Sequence, residues 1–426
     1  MKAYCAFFLI IIITFTAHSQ STQISNSSSK IENDTLKNTE LKKQLGNGYV
    51  PISFVNLDLR YLLKFNQYEG LRTGLGGITN EKFSEKYRIK GYVVYGFRDH
   101  RFKYSIDGGF RISAKNETWV DLSYTDDLQE TGSSNFLTDG RFFTFFEPRL
   151  LNIDLFYKHT TKAISVENKV FPNLFSKIQF STSKIDPTFN YTFVVDDKSY
   201  QQYDISLATI SYQWNPFNQH TDTDNVKIDK VSLGYPQFSL QFTKSFKGVI
   251  DGDFGFFKTD FRTLYILNYN ANVFTEVTLT SGIAIGKTPL THLYHAYPNN
   301  ITKETILQRF SVAGFNSFET MYFNEFFSDR FATLQIKHFV KPFKITQRYQ
   351  PQLVLISRFA LGDMNHIERH QNISFGTLDK GYSEAGFEIN KLLFGFGLSF
   401  AYRYGAYHLP QFDDNIAFKF TFNITL

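Results

Sequence analysis

The stretch Asn415-Ile416-Ala417-Phe418-Lys419-Phe420-Thr421-Phe422-Asn423-Ile424-Thr425-Leu426 decides the fold. Successive side chains of an extended chain point to opposite faces. Ile416, Phe418, Phe420, Phe422, Ile424 and Leu426 therefore share one face, and Asn415, Ala417, Lys419, Thr421, Asn423 and Thr425 share the other. The same period of two recurs upstream. Phe394, Phe396, Leu398, Phe400, Tyr402 and Tyr404 alternate with Gly395, Gly397, Ser399, Ala401 and Arg403. Phe102, Tyr104, Ile106, Phe110 and Ile112 oppose Arg101, Lys103, Ser105, Asp107, Arg111 and Ser113. Residues 57–65, 87–97, 189–195, 238–242, 273–285 and 385–389 follow the pattern too. Turn signals such as Arg98-Asp99-His100 and Asp251-Gly252 separate the runs, and Asp-Gly between alternating segments marks a hairpin.

The runs are long, commonly about nine to thirteen residues, where strands of soluble proteins cluster near five or six. A tilted strand crossing a bilayer needs roughly nine to eleven. Two architectures share this code. In a soluble sandwich the rings meet in a common interior; in an outer-membrane barrel they face lipid, and the charged face lines a wet interior. Strand length and the aromatic strand at residues 415–426 favour an all-β, transmembrane antiparallel β-barrel of roughly sixteen strands, with fourteen to eighteen as the range. Such a strand pairs to leave no edge in lipid.

Composition agrees. The 426 residues carry 45 Lys plus Arg against 40 Asp plus Glu, a net charge of +5, with 42% hydrophobic and 18% aromatic residues. A mean hydropathy of −0.26 excludes a bundle of transmembrane helices. The 48 Phe and 25 Tyr exclude disorder. So small a net charge is no nucleic-acid footprint. One cysteine, Cys5, excludes a disulfide framework and a thiolate metal cluster.

Lys2, the apolar run 6–15, and small residues at Ala17 and Ser19 read as a signal peptide over residues 1–19. Residues 20–49 hold few bulky apolar groups and are expected to form a disordered periplasmic lead-in. The barrel is expected over residues 50–426. Its partners would then be outer-membrane lipid and, during insertion, the barrel-assembly machinery.

Four segments carry a family likeness: Lys64-Phe65-Asn66-Gln67-Tyr68-Glu69-Gly70-Leu71-Arg72, Tyr95-Gly96-Phe97-Arg98-Asp99, Gly286-Lys287-Thr288-Pro289-Leu290 and Glu325-Phe326-Phe327-Ser328-Asp329-Arg330-Phe331. Together they resemble an outer-membrane barrel family of unknown function, whose longer members carry a carboxypeptidase-like regulatory domain ahead of the barrel. That family is similar in outline to the surface-antigen and barrel-insertase superfamily. The resemblance implies a membrane-embedded barrel acting in envelope assembly or transport. It departs in two places: residues 20–49 are too few for the regulatory domain, and Leu426 stands where an aromatic is usual.

Motifs that could carry chemistry are weak. Gly286-Lys287-Thr288 lacks the earlier glycine of a phosphate loop, since Ser281 stands there. Counting from Asp222, the calcium-loop pattern requires Gly where Lys227 stands and Glu where Leu233 stands. His366 with His370, and His292 with His295, fall in segments that read as polar loops rather than metal-binding helices. No nucleophile, histidine and acid form a defensible trio, so no catalytic residue, metal or cofactor is expected. Glu325, Asp329 and Arg330 cluster where a long connection, about 291–324, meets a strand at 332–340. They are expected to pin that connection inside the barrel through charge-assisted hydrogen bonds. Arg101, Lys103, Arg111 and Lys419 are the expected interior lining, which in an open porin-like channel would favour anions. A secreted soluble β-sandwich binding protein is the remaining reading.

Overall fold

The computed structural model describes residues 48–133, 135–137, 148–217, 236–270, 272–303, 309, 311–314, 316–346, 349–393 and 395–422. The expected signal peptide, nearly all of the lead-in, the calcium-like segment from Asp222 and residues 423–426 lie outside the described residues.

The chain is an antiparallel meander. Its strands are β1 (Tyr49–Ile52), β2 (Val55–Asp58), β3 (Leu63–Asn66), β4 (Gly70–Thr79), β5 (Tyr87–Gly96), β6 (Arg101–Ser113), β7 (Thr118–Glu130), β8 (Phe156–Phe171) and β9 (Leu174–Pro187). Two short strands follow, β10 (Thr192–Val195) and β11 (Lys198–Tyr200). The wall resumes with β12 (Tyr203–Trp214), β13 (Gln237–Ser245), β14 (Phe256–Asn270) and β15 (Val273–Gly286). After β16 (Pro298–Asn300) and β17 (Phe318–Tyr322) come β18 (Arg330–Phe339), β19 (Gln352–Asp363), β20 (His370–Gln371), β21 (Leu378–Leu393), β22 (Phe396–Tyr404) and β23 (Ile416–Phe422). Eighteen of these strands make one sheet, in which, β2 and β3 apart, each wall strand pairs with the next wall strand along the chain. β2 and β3 both pair with β4 and are two halves of one interrupted strand. At the far edge, Phe420 of β23 accepts a backbone hydrogen bond from Ala313 at 2.7 Å and donates one to Ser311 at 2.9 Å. A strip of loop thus lies parallel to the last strand.

The two faces are chemically opposite, and the exposed one is apolar. On β6, Phe102 and Ile106 are 65% and 61% exposed, whereas their neighbours Lys103 and Asp107 are 5% and 7% exposed. A soluble fold shows the reverse. The polar face encloses space. Residues of β3, β4, β5 and β7 and residues of β14, β15 and β18 line the same cavity of about 530 Å³, so the sheet curls around an interior.

Two expectations need correction. Residues 57–65 alternate but do not form one strand. Asp58 accepts hydrogen bonds from the backbone and side chain of Arg60, which turns 59–61 into a 3-10 helix. That break folds Tyr61 over Gly76, where a Cβ would clash with the ring, and stacks it on Tyr92 at 4.2 Å. Residues 189–195 alternate but do not belong to the wall. β10 pairs with β11 and with β20, so a small separate sheet ties the connection after β9 to the one after β19. Phe193 is fully buried there against Phe254. With Tyr203, Leu290, Tyr294 and Phe327 these rings build a core from several connections at one end of the sheet.

Candidate functional site

The connection between β15 and β18, residues 287–329, enters the interior and is held there by charge. It begins at the close of β15, passes through the 3-10 turn Leu290–His292, and forms the β16–β17 parallel pair. Gly282 of β15 admits it: a Cβ at that position would lie 2.6 Å from the Tyr294 ring.

Four neighbouring wall strands present ionic groups to this loop: Arg358 on β19, Glu384 on β21, Arg403 on β22 and Lys419 on β23. Each is at most 1% exposed. Arg358 and Glu384 are register partners, as are Glu384 and Arg403, so the three form one row across the sheet. The loop answers with two carboxylates and its own backbone. Glu319 of β17 pairs with Lys419 at 3.0 Å and accepts from Ser317 at 2.7 Å and Asn299 at 2.8 Å. Lys419 also donates to the Asn299 carbonyl. Glu384 pairs with Arg358 at 2.5 Å and accepts from the Glu319 N–H at 3.1 Å, the Thr320 N–H at 2.7 Å and the Thr320 hydroxyl at 2.5 Å. Arg403 donates twice to Glu325, at 3.1 and 2.7 Å, while its guanidinium lies 4.8 Å from the Tyr382 ring centre. Three carboxylates face three cations. A buried charge is costly unless paired and hydrogen-bonded; each of these six ions has an oppositely charged partner, while Nε and Nη2 of Arg358 and Nε of Arg403 have no hydrogen-bond partner among the described residues.

The expected cluster divides. Glu325 reaches the wall through Arg403. Asp329 stays at the rim, where its carboxylate accepts the Asn365 N–H at 2.8 Å and its backbone carbonyl accepts the Ala284 N–H at 2.6 Å. Arg330 is half-exposed and pairs with Asp363 at the end of β19, a rim contact that contributes little. Of the expected lining, Lys419 belongs to the loop network, and Lys103 is buried between Glu69 at 2.6 Å and Asp99 at 2.5 Å. Arg101 is exposed at the start of β6. Arg111 donates to the Ala114 carbonyl at 3.3 Å beside Trp119. Arg358 and Glu384 escaped the sequence reading. Alternation names the face of a charged residue but not its partner across the interior.

The histidines pack into the loops. His292 is half-buried beside Tyr157 and Phe256, and desolvation together with the Lys258 charge pulls its pKa down to about 3. His295 meets Glu130 at 2.7 Å. His370 lies 2.9 Å from the Tyr191 hydroxyl and is lowered to about 4, chiefly by burial and then by Arg369. His366 points elsewhere, 3.0 Å from Glu368. Lys287 pairs with Asp196 of the β10–β11 turn, at 2.5 Å. Among the described residues no three His, Cys, Asp or Glu side chains gather as metal ligands.

Residues 35–287 match a family model described as "Family of unknown function (DUF5686) C-terminal domain". The curated proteins contain no match. Among solved structures, the chain is similar to BamA from Haemophilus ducreyi lacking POTRA domains 1–3. The TM-score is 0.52 at 10% identity, over 95% of this chain and 79% of that one. At that identity the likeness speaks to fold, and the fold is that of a barrel protein.

Proposed function

Because this chain belongs to the DUF5686 family, whose function is unknown, we propose from its own physics that it is an integral outer-membrane barrel, closed to free diffusion by its inward loop. In this reading it serves envelope assembly or transport rather than passive permeation. The inverted exposure carries the proposal: the apolar side chains of Phe102, Ile106 and Ile112 stand in the open while Lys103 and Asp107 are buried. In water that apolar surface would drive aggregation; in a bilayer it is the solvated surface. Connection lengths fit as well. At one end the turns 80–86, 114–117, 172–173, 271–272 and 394–395 are short and 215–236 and 340–351 are longer; at the other, 131–155, 188–202, 287–329 and 364–377 are long and 97–100 is a tight turn. Membrane barrels place short turns in the periplasm and long loops outside.

A passive pore is the weaker reading, because the space it needs is occupied by Glu319, Thr320 and Glu325 on their wall partners. Fractionation followed by planar-bilayer recording tests the proposal. The protein should sediment with outer membranes, migrate differently in a detergent gel before and after boiling, and conduct almost no current. Recovery as a dissolved monomer, or large steady conductance, would overturn it.

A further inference from the structure

The interior loop does not fill the whole interior. Beside it lies the cavity of about 530 Å³, within the roughly 300–1,000 Å³ typical of small-molecule sites. Thr278, Thr280, Thr333 and Gln335 of β15 and β18 form one side. Tyr61, Arg72, Tyr92 and Asp127 form the opposite side.

The charges on that second side are already satisfied. Arg72 grips Asp127 through two hydrogen bonds of 2.7 and 2.8 Å, and the Tyr92 hydroxyl donates to the same carboxylate. Glu69 is taken by Lys103 and Arg72, and Glu130 by Arg149 and His295. An anionic ligand would have to compete with the carboxylates that already hold Arg72 and Arg149, and a cationic one with the cations that hold Asp127, Glu69 and Glu130. An apolar ligand would strand the polar side opposite. Gln335, itself only 6% exposed, has an amide oxygen without a hydrogen-bond partner among the described residues, and so has Asn316 beside it. Both line the cavity. A buried acceptor left unpaired costs about 1–3 kcal/mol, so the site favours a molecule that donates to it. The stacked Tyr61 and Tyr92 rings add an aromatic wall.

We propose that this cavity binds an uncharged polyhydroxylated solute of mono- or disaccharide size. Hydroxyls donate to Gln335 and Asn316, accept from the threonines, and add second hydrogen bonds to ion pairs that stay intact. The cavity presents the same lining wherever the barrel resides.

Isothermal titration of the purified full chain in detergent, with glucose, maltose and glucose 6-phosphate as probes, tests it. Glucose or maltose should bind saturably and glucose 6-phosphate should not. Thr280→Val with Gln335→Met should weaken binding about tenfold or more, the factor that one lost hydrogen bond of about 1.4 kcal/mol gives. Unchanged heat-modifiable mobility reports that the double variant is folded; if it is not, Thr278→Val alone carries the comparison. Absence of saturable binding to either sugar, unchanged affinity in the folded variants, or stronger binding of the phosphate ester overturns the proposal.

Discussion

Arg403 of β22 and Glu325 of the interior loop are joined by two guanidinium–carboxylate hydrogen bonds, 3.1 and 2.7 Å long, with the arginine buried and the carboxylate nearly so. This fork fixes the returning limb of the loop to the wall. Arg403→Ala and Glu325→Gln should each destabilise the protein by about 2–4 kcal/mol and raise single-channel conductance. The double variant should cost little more than either single one, because both remove the same contact. Conductance unchanged from the wild type in all three would remove this pair from any gating role.

Glu384 holds the deeper limb through the backbone N–H groups of Glu319 and Thr320. Glu384→Leu leaves Arg358 without its partner and should cost about 3–5 kcal/mol. Hydrogen exchange at the Glu319 and Thr320 amides should accelerate well before the wall strands exchange. Simultaneous loss of protection in loop and wall would mean that they open as one unit.

Acid should loosen the loop core at the long-connection end. His370 and His292 are held neutral, the first mainly by burial and then Arg369, the second by burial and then Lys258 and His159. Their folded pKa values, about 4 and about 3, lie below the unfolded value of about 6.5. Stability from keeping them neutral is complete above pH 6.5 and is lost as pH falls from there toward the folded values. Hydrogen-exchange protection of the amides around Phe193 and His370, corrected for the intrinsic pH dependence of exchange, should therefore fall between about pH 6.5 and 4. His370→Phe should flatten much of that response; an identical pH profile in the variant would assign the effect elsewhere.

Arginine placed on alternate residues of one strand reads the orientation of the wall. Leu122 of β7 is 62% exposed on the outer face, and Ser123 faces inward. Leu122→Arg should cost about 2–4 kcal/mol in lipid, as a cation at mid-bilayer does. Ser123→Arg should cost less, because its partner position holds Asp107. Equal stability of the two variants in lipid-reconstituted unfolding would contradict a lipid-facing Leu122.

Gly282→Ala tests the close approach of loop to wall. The added Cβ meets the Tyr294 ring, and overpacking of this kind costs about 1–3 kcal/mol. Tyr294→Ala in the same chain should recover part of it. No loss in the single variant would mean the ring can swing aside freely.

The wall was legible because period two is a one-dimensional property. β6, β22 and β23 are where the alternation puts them, and the turns at Arg98-Asp99-His100 and Asp251-Gly252 are where chain chemistry calls for them. Asp251 adopts φ 63, which its short side chain tolerates. Period two does not say which apolar surface a strand will meet. Phe193 and Val195 alternate as faithfully as Phe418 and Phe420, yet the first pair packs into the loop core and the second stands in the open. The break at 59–61 rests on the side chain of Asp58, which competes locally with a strand that pattern alone would continue. The candidate site was legible in part. Glu325 stands in a charged cluster visible by eye, but its partner Arg403 lies 78 residues away. Which of several cations on the polar face meets it depends on how far the sheet curls, and that is a property of the whole wall.

The strip at Ser311 to Ala313 makes the interior loop and the margin of the sheet a single mechanical element. Whatever withdraws the loop must also strip two main-chain hydrogen bonds from Phe420, a residue whose ring already faces outward. The bare N–H and C=O would then have no water to turn to in a hydrocarbon setting, where each unsatisfied group costs several kcal/mol. Displacement of the loop is thereby tied to the supply of another main chain to take its place along that border.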